Sequence, residues 1–275
     1  MLQILDESRT FLDYGPIQMV IDIRTNGKGQ VKIAEKVAQD LIEQFNRMLV
    51  YMKIIKSHES YRVMGEYPLV LNKMISAVNL LGDSSFSPLA AVAGSFSEYA
   101  LERALKYGGE RVIVNNGGDI ALKDLTGKSF IVGIPIEDLT QGLRIEITPE
   151  MKIEGICTSG LGGRSFTKGI ATKAVALGQK ASVADVCATY LGNMTNVDDP
   201  NIIRVPAEEI DEGTDIPGHL ITVKVGKIDR QKKLMALLNG FEAAEGLVEN
   251  SIITGAAIVL EKDILTIPEG IAVIK

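Results

Sequence analysis

The chain has 275 residues, enough for one large domain or two small ones with a substantial core. Apolar residues make up 46% and charged residues 23%, the balance of a soluble globular protein, and a net charge of −6 with no basic stripe argues against nucleic-acid binding. No apolar run reaches the roughly 18 residues of a membrane span, and the acids Asp6 and Glu7 sit where a signal peptide would be basic, so no signal peptide and a cytoplasmic location are expected.

Residues 17–24, IQMVIDIR, read as a strand, and Asn26-Gly27-Lys28-Gly29 as the turn after it. Over 31–49, Ala34, Val37, Ala38, Leu41, Phe45 and Met48 recur at helical spacing. A second periodic segment spans 69–81 and is broken by Ser84-Ser85-Phe86-Ser87-Pro88, because proline fixes φ and restrains its predecessor. A helix over 89–107 opens on small residues and stops at Gly108-Gly109. Short strands follow at 111–115, 119–123, 129–134, 143–148, 151–157 and 172–177, and then a helix over 182–192. The acidic stretch 194–216 reads as a surface loop or lid. The remainder, 217–275, reads as a strand at 219–225, a helix over 229–248 and strands at 251–260 and 263–267. Strands in runs with helices between them predict an α+β fold of mixed sheets and packed helices, as a single domain over 1–275.

Three stretches carry candidate chemistry. In RVIVNNGGDIAL a β-branched strand ends on amides, glycines and an acid. Gly117 and Gly118 accept positive φ, so the stretch fits a two-residue hairpin. A sharper reading is a strand end where bare backbone meets a ligand, with Asn116 or Asp119 orienting it. In GICTSGLGGRSFTKG, hydroxyls, glycine amides and Arg164 offer what a phosphate needs, without a Walker or dinucleotide pattern. In SVADVCATYLGN, Ala184, Cys187, Ala188 and Leu191 form a buried helical face. Asp185 and Thr189 share a neighbouring stripe, able to offer two oxygens to one hard cation. Ser182 with Asp185 also fits a capping box. Cys157 and Cys187 have no metal spacing and are expected to be buried packing residues; His58 and His219 match no motif.

Together, PLAAVAGSFSEYALERAL, NNGGDIAL, GICTSG and ADVCAT resemble the small-residue helix, Asn-x-Gly-Gly-Asp strand end, Thr-Ser-Gly segment and Ala-Asp-x-x-x-Thr metal motif of the ApbE family. The resemblance covers 88–193 and is closer still to an ApbE-like branch of archaea and bacteria. Flavin transferases of that family move FMN from FAD to a threonine or serine of an acceptor protein. The resemblance implies an ApbE-like (T-fold-like) fold, with Mg²⁺ on Asp185, Thr189 and a backbone carbonyl near Val92. It implies a flavin nucleotide (FAD or FMN) lined by Asn116, Gly117, Gly118 and Asp119, with Thr158, Ser159 and Gly160 beside the diphosphate. Asp119 and Glu98 are then the candidate bases, and Arg164 the candidate for charge on the leaving phosphate. The family's His-Ile-x-Asp-Pro stretch is RSFTKGIATKAVAL here, without histidine, and Ala93 stands where the family has lysine. Three readings stay open: a Mg²⁺-dependent transferase or FAD hydrolase, a flavin- or nucleotide-binding protein without chemistry, and an enzyme acting on another phosphorylated ligand. A homodimer is also expected.

Overall fold

The computed structural model describes residues 1–136 and 142–274. The chain begins with strands β1 (Leu2–Ile4), β2 (Arg9–Tyr14), β3 (Ile17–Thr25) and β4 (Lys28–Gly29). Helices α1 (Val31–Met48), α2 (Met52–Ile55), α3 (Leu69–Leu81) and α4 (Val92–Lys106) follow. Next come β5 (Arg111–Asn116), β6 (Asp119–Asp124), β7 (Phe130–Pro135), β8 (Gly142–Ile147), β9 (Gly155–Ser159) and β10 (Lys173–Gly178). Helix α5 (Ala181–Met194) precedes β11 (Ile202–Pro206) and β12 (Leu220–Val225). Helix α6 (Arg230–Glu249) leads to β13 (Gly255–Leu260), β14 (Asp263–Ile267) and β15 (Val273–Ile274). The fold is α+β, as the run of elements predicts.

These elements form two compact units. The first holds residues 1–129, 148–157 and 178–186. Its antiparallel sheet runs β1-β2-β3-β5-β6-β9, with β4 beside β3. Helix α4 packs on β5 and β6, with α1 and α3 against it. Burial alternates along β5, so Val112, Val114 and Asn116 point inward. The first four residues of β6, Asp119 to Leu122, are all buried, so an acid and apolar residues share one covered strand. The second unit holds residues 130–147, 158–177 and 187–275. In it β10-β13-β14 form an antiparallel sheet covered by α6, β7 and β15 flank β8, and β11 pairs with β12.

Several expected boundaries shift for local reasons. The helix expected from 89 starts as a 3-10 turn, Pro88–Ala91, capped by the Ser87 hydroxyl, which accepts from the Leu89 N–H. The strand expected at 151–157 starts only at Gly155, because Pro149–Met151 is a 3-10 turn and Lys152 has φ +53°. The strand expected from 251 starts at Gly255, since Ser251 has φ +57°. The stretch read as a surface loop or lid contains β11, paired with β12. Two strands in the first 14 residues have too little alternation to be read; their turn is made by the Asp6 carboxylate, which accepts from the Ser8 and Arg9 backbone N–H groups.

The open end of the β5–β6 pair is fastened by Arg111 and Asp124, which are register partners and an ion pair. Asp124 Oδ1 also accepts from the Thr126 N–H and hydroxyl. Burial raises the Asp124 pKa, but Thr126 and Arg111 outweigh it, and the value falls from 3.8 to about 2. A depressed carboxylate stabilises the fold above its unfolded pKa and loses that contribution as pH falls through the folded one. Asp124→Asn is therefore expected to cost on the order of 1–3 kcal/mol at neutral pH. The gap from wild type should close between pH 3.8 and about 2, as read by denaturant unfolding across pH. An equal gap at every pH would mean that packing, not charge, accounts for the loss.

Candidate functional site

The question raised by NNGGD has a definite answer in the first unit. Asn116 and Asp119 are register partners, and Gly117 (φ +68°) with Gly118 (φ +110°) makes a two-residue hairpin turn. The turn is tied by Asn115, whose Oδ1 accepts from the Gly118 N–H at 2.9 Å. The buried Asn116 side chain reaches α4, where its Nδ2 donates to the Ala93 carbonyl at 3.4 Å. The Asp119 backbone carbonyl accepts from the Ser97 hydroxyl of the same helix at 2.8 Å. The turn is thus docked on the first two turns of α4.

The start of α5 approaches the same helix. The Gly94 N–H donates to Asp185 Oδ2 at 2.8 Å. This closeness requires glycine: a Cβ on Gly94 would lie 2.2 Å from the Ala181 carbonyl oxygen and 2.7 Å from Asp185 Cβ. On the other side, a Cβ on Gly155 of β9 would lie 2.5 Å from Ala181 Cα. Two missing side chains therefore let the first turn of α5 wedge between α4 and β9.

Ser182, which with Asp185 has capping-box spacing, is held by a longer-range device. Glu98 of α4 accepts from the Ser182 N–H at 3.0 Å and from its hydroxyl at 2.7 Å, both on Oε2. Glu98 Oε1 accepts from Lys73 Nζ at 2.7 Å, and Lys73 also reaches Glu102 at 2.6 Å. Burial pulls the Lys73 pKa down, but the two carboxylates more than offset this and the net direction is upward, so the ammonium persists. Both Glu98 oxygens are engaged in holding α3, α4 and α5 together.

Cys157, fully buried, lies near the carboxylates of Asp119 and Asp185. Its thiol lies against the Ala181 carbonyl at 3.3 Å and the Asp119 carboxylate, and it also feels the charge of Asp185. Burial first, then those two acids, push the thiol pKa well above its ordinary value, so it remains a donor. Both cysteines are buried and free, as their apolar setting predicts, but the polar company of Cys157 was not legible in the sequence. Val92, half-buried, opens α4 one turn ahead of Phe96.

The second unit holds the other expected residues. Thr158 is half-buried, and Ser159 is buried with its hydroxyl lacking a hydrogen-bond partner. Gly160 has φ +131°, and a Cβ there would lie 2.8 Å from the Thr172 carbonyl. Arg164 is exposed in the turn that follows. The loop is anchored by Thr195, absent from the sequence reading, whose hydroxyl accepts from the Ile170 and Ala171 N–H groups and donates to the Gly192 carbonyl. Thr189 is half-buried, one helical turn beyond Asp185 on the continuous α5. Neither histidine lies on these stretches: His58 is in an exposed segment after α2, and His219 immediately precedes β12. Among the described residues no group of three or more His, Cys, Asp or Glu side chains could hold a metal, and no helix is long and apolar enough to cross a membrane.

A family model described as AbpE bacteria matches residues 2–266. A UPF0280 protein of Methanococcus aeolicus is 32% identical over 199 residues, covering 68% of this chain and 78% of that one. A UPF0280 protein of Methanosarcina barkeri is 38% identical over 141 residues, 50% of this chain and 54% of the other. Among solved structures, the flavin transferase ApbE from Vibrio cholerae aligns over 95% of this chain and 96% of its own, with a TM-score of 0.53 and 12% identity. The apo flavinyl transferase ApbE of Pseudomonas stutzeri aligns over 96% of each chain, with a TM-score of 0.54 and 10% identity. The chain is a member of the AbpE bacteria family, and its fold is that of the ApbE flavin transferases.

Proposed function

We propose that this chain binds a flavin nucleotide, FAD, together with Mg²⁺, and breaks the FAD diphosphate by transfer of FMN or by hydrolysis. The observation that carries the reading is the convergence within one unit of the glycine turn, the first turn of α4 and Asp185, three stretches far apart in sequence. The structural neighbours of Vibrio cholerae and Pseudomonas stutzeri are flavin transferases, and they suggest the ligand class.

The donor set suits a hard cation: the Asp185 carboxylate, the Thr189 hydroxyl and the Val92 carbonyl are all oxygens. Mg²⁺ held there would neutralise diphosphate charge. Asn116, Gly117, Gly118 and Asp119 would line the flavin nucleotide, and Thr158, Ser159 and Gly160 the diphosphate. Asp119 is the better candidate base than Glu98, whose two oxygens already hold Lys73 and Ser182. In the reaction, the acceptor oxygen bonds to the FMN phosphorus, the bridging oxygen leaves with AMP, and the acceptor proton passes to Asp119. With a protein hydroxyl as acceptor the product is a flavinylated protein; with water the products are FMN and AMP. Arg164 would stabilise the leaving phosphate.

A second reading, a flavin-binding protein without chemistry, is favoured by one observation: neither histidine lies on the gathered stretches. Titration calorimetry with FAD, with and without Mg²⁺, followed by chromatography of the mixture, separates the two. Mg²⁺-dependent binding with FMN and AMP appearing is the expected outcome. Binding with FAD intact selects the non-catalytic reading. No binding under either condition rejects the flavin assignment and turns the search to other phosphorylated ligands.

A further inference from the structure

Helix α6 buries Ala236, Leu237, Gly240, Ala244 and Leu247 on β13 and β14. Its opposite side is not the polar surface that a two-faced helix should present. Leu234, Met235 and Leu238 are 41%, 51% and 49% exposed, and Phe241 beside them is only half-buried. Leu234, Leu238 and Phe241 follow the four-then-three spacing of a helix-pairing seam.

The charges on α6 point to what covers this seam. Its first turn carries Arg230, Lys232 and Lys233, and its second half carries Glu242, Glu245 and Glu249. This order runs against the helix macrodipole, which favours acids at the N-terminus and bases at the C-terminus, so it costs the helix stability in isolation. Lys232 and Lys233 find partial relief in Asp199 (2.9 Å) and Glu261 (2.5 Å); Arg230, Glu242 and Glu249 are exposed and Glu245 is half-buried. An antiparallel copy of the same helix reverses both the charge order and the dipole. With the crossing at Leu238, Arg230 lies eight residues before the axis and Glu245 seven after it. At 1.5 Å per residue the two are within about 2 Å of the same height on opposing helices. The seam is therefore complementary to itself, as a two-fold interface must be.

We propose that α6 is a homodimer interface, in which two copies of this chain pair their α6 helices antiparallel across Leu238, with Arg230 of each opposite the acidic end of the other. The proposal is independent of the flavin reading. Its test is the mass of the 275-residue chain by sedimentation equilibrium, from low micromolar to several hundred micromolar. Wild type is expected to rise from 29.7 kDa to twice that value. Leu238→Glu should stay at the monomer mass throughout, with an unchanged circular dichroism spectrum. Arg230→Glu should weaken association about tenfold or more, and adding Glu245→Arg in the same chain should restore it. That charge exchange decides the matter even if Leu238→Glu fails to fold. A wild type monomeric at every concentration, a Leu238→Glu chain that still dimerises, or a double exchange that does not recover overturns the proposal.

Discussion

Replacing Asp185 by alanine is expected to weaken Mg²⁺-dependent FAD binding about a hundredfold or more while the chain stays folded. Loss of a group that merely orients a metal ligand typically costs 10–100-fold, and loss of the ligand itself should cost at least as much. The structure adds a second consequence. Asp185 Oδ2 accepts from the Gly94 N–H in a buried setting, so alanine leaves that donor without this acceptor. The expected stability loss is about 1–3 kcal/mol. Asp185→Asn separates the two effects, because an amide oxygen can still accept from Gly94 but carries no charge for the metal. Titration calorimetry should show Mg²⁺ dependence lost in both variants, while denaturant unfolding shows the asparagine variant nearer to wild type. An asparagine variant that binds FAD and Mg²⁺ as wild type does would remove Asp185 from the metal set.

The parts of this molecule that were legible in the sequence are those governed by local rules. The hairpin at 116–119 follows from two glycines between apolar runs, and the observed positive φ values are what such a turn needs. The buried face of α5, Ala184, Cys187, Ala188 and Leu191, follows from 3.6-residue periodicity. The illegible parts depend on pairings across long stretches of chain. Ser182 and Asp185 have capping-box spacing, yet the Ser182 groups are claimed by Glu98, 84 residues away, and Asp185 bonds Gly94, 91 residues away. The role of Gly94 was invisible because a glycine early in a small-residue helix announces nothing about what will press against it. Thr195 had no signal either; its hydroxyl acts on backbone groups 24 and 25 residues back. Candidate residues could be named from motifs, but only the fold shows that Glu98 is a clamp between helices and that Cys157 sits beside two carboxylates.

That clamp and wedge make Gly94→Ala a damaging substitution despite its small size. Alanine is the best helix former, so in an open helical position glycine to alanine gains about 1 kcal/mol. Gly246 in α6 is such a position, with nothing within 4 Å of an added Cβ, and Gly246→Ala should stabilise by about that amount. At Gly94 the same methyl would sit 2.2 Å from a backbone oxygen, Ala181 O, which cannot rotate away as a flexible side chain would. The first turn of α5 would have to retreat, against Gly155 and β9 on its far side, where a neighbouring close approach leaves no slack. Overpacking of this kind costs about 3 kcal/mol, which for a chain of this size lowers Tm by roughly 6–10 °C. The retreat would also carry Asp185 away from the Gly94 N–H, so ligand binding should fall together with stability. Thermal unfolding of the two alanine variants side by side tests the wedge through the sign of the shift. If Gly94→Ala stabilises as Gly246→Ala does, α5 is not held against α4 by close approach, and the geometry proposed for Asp185 goes with it.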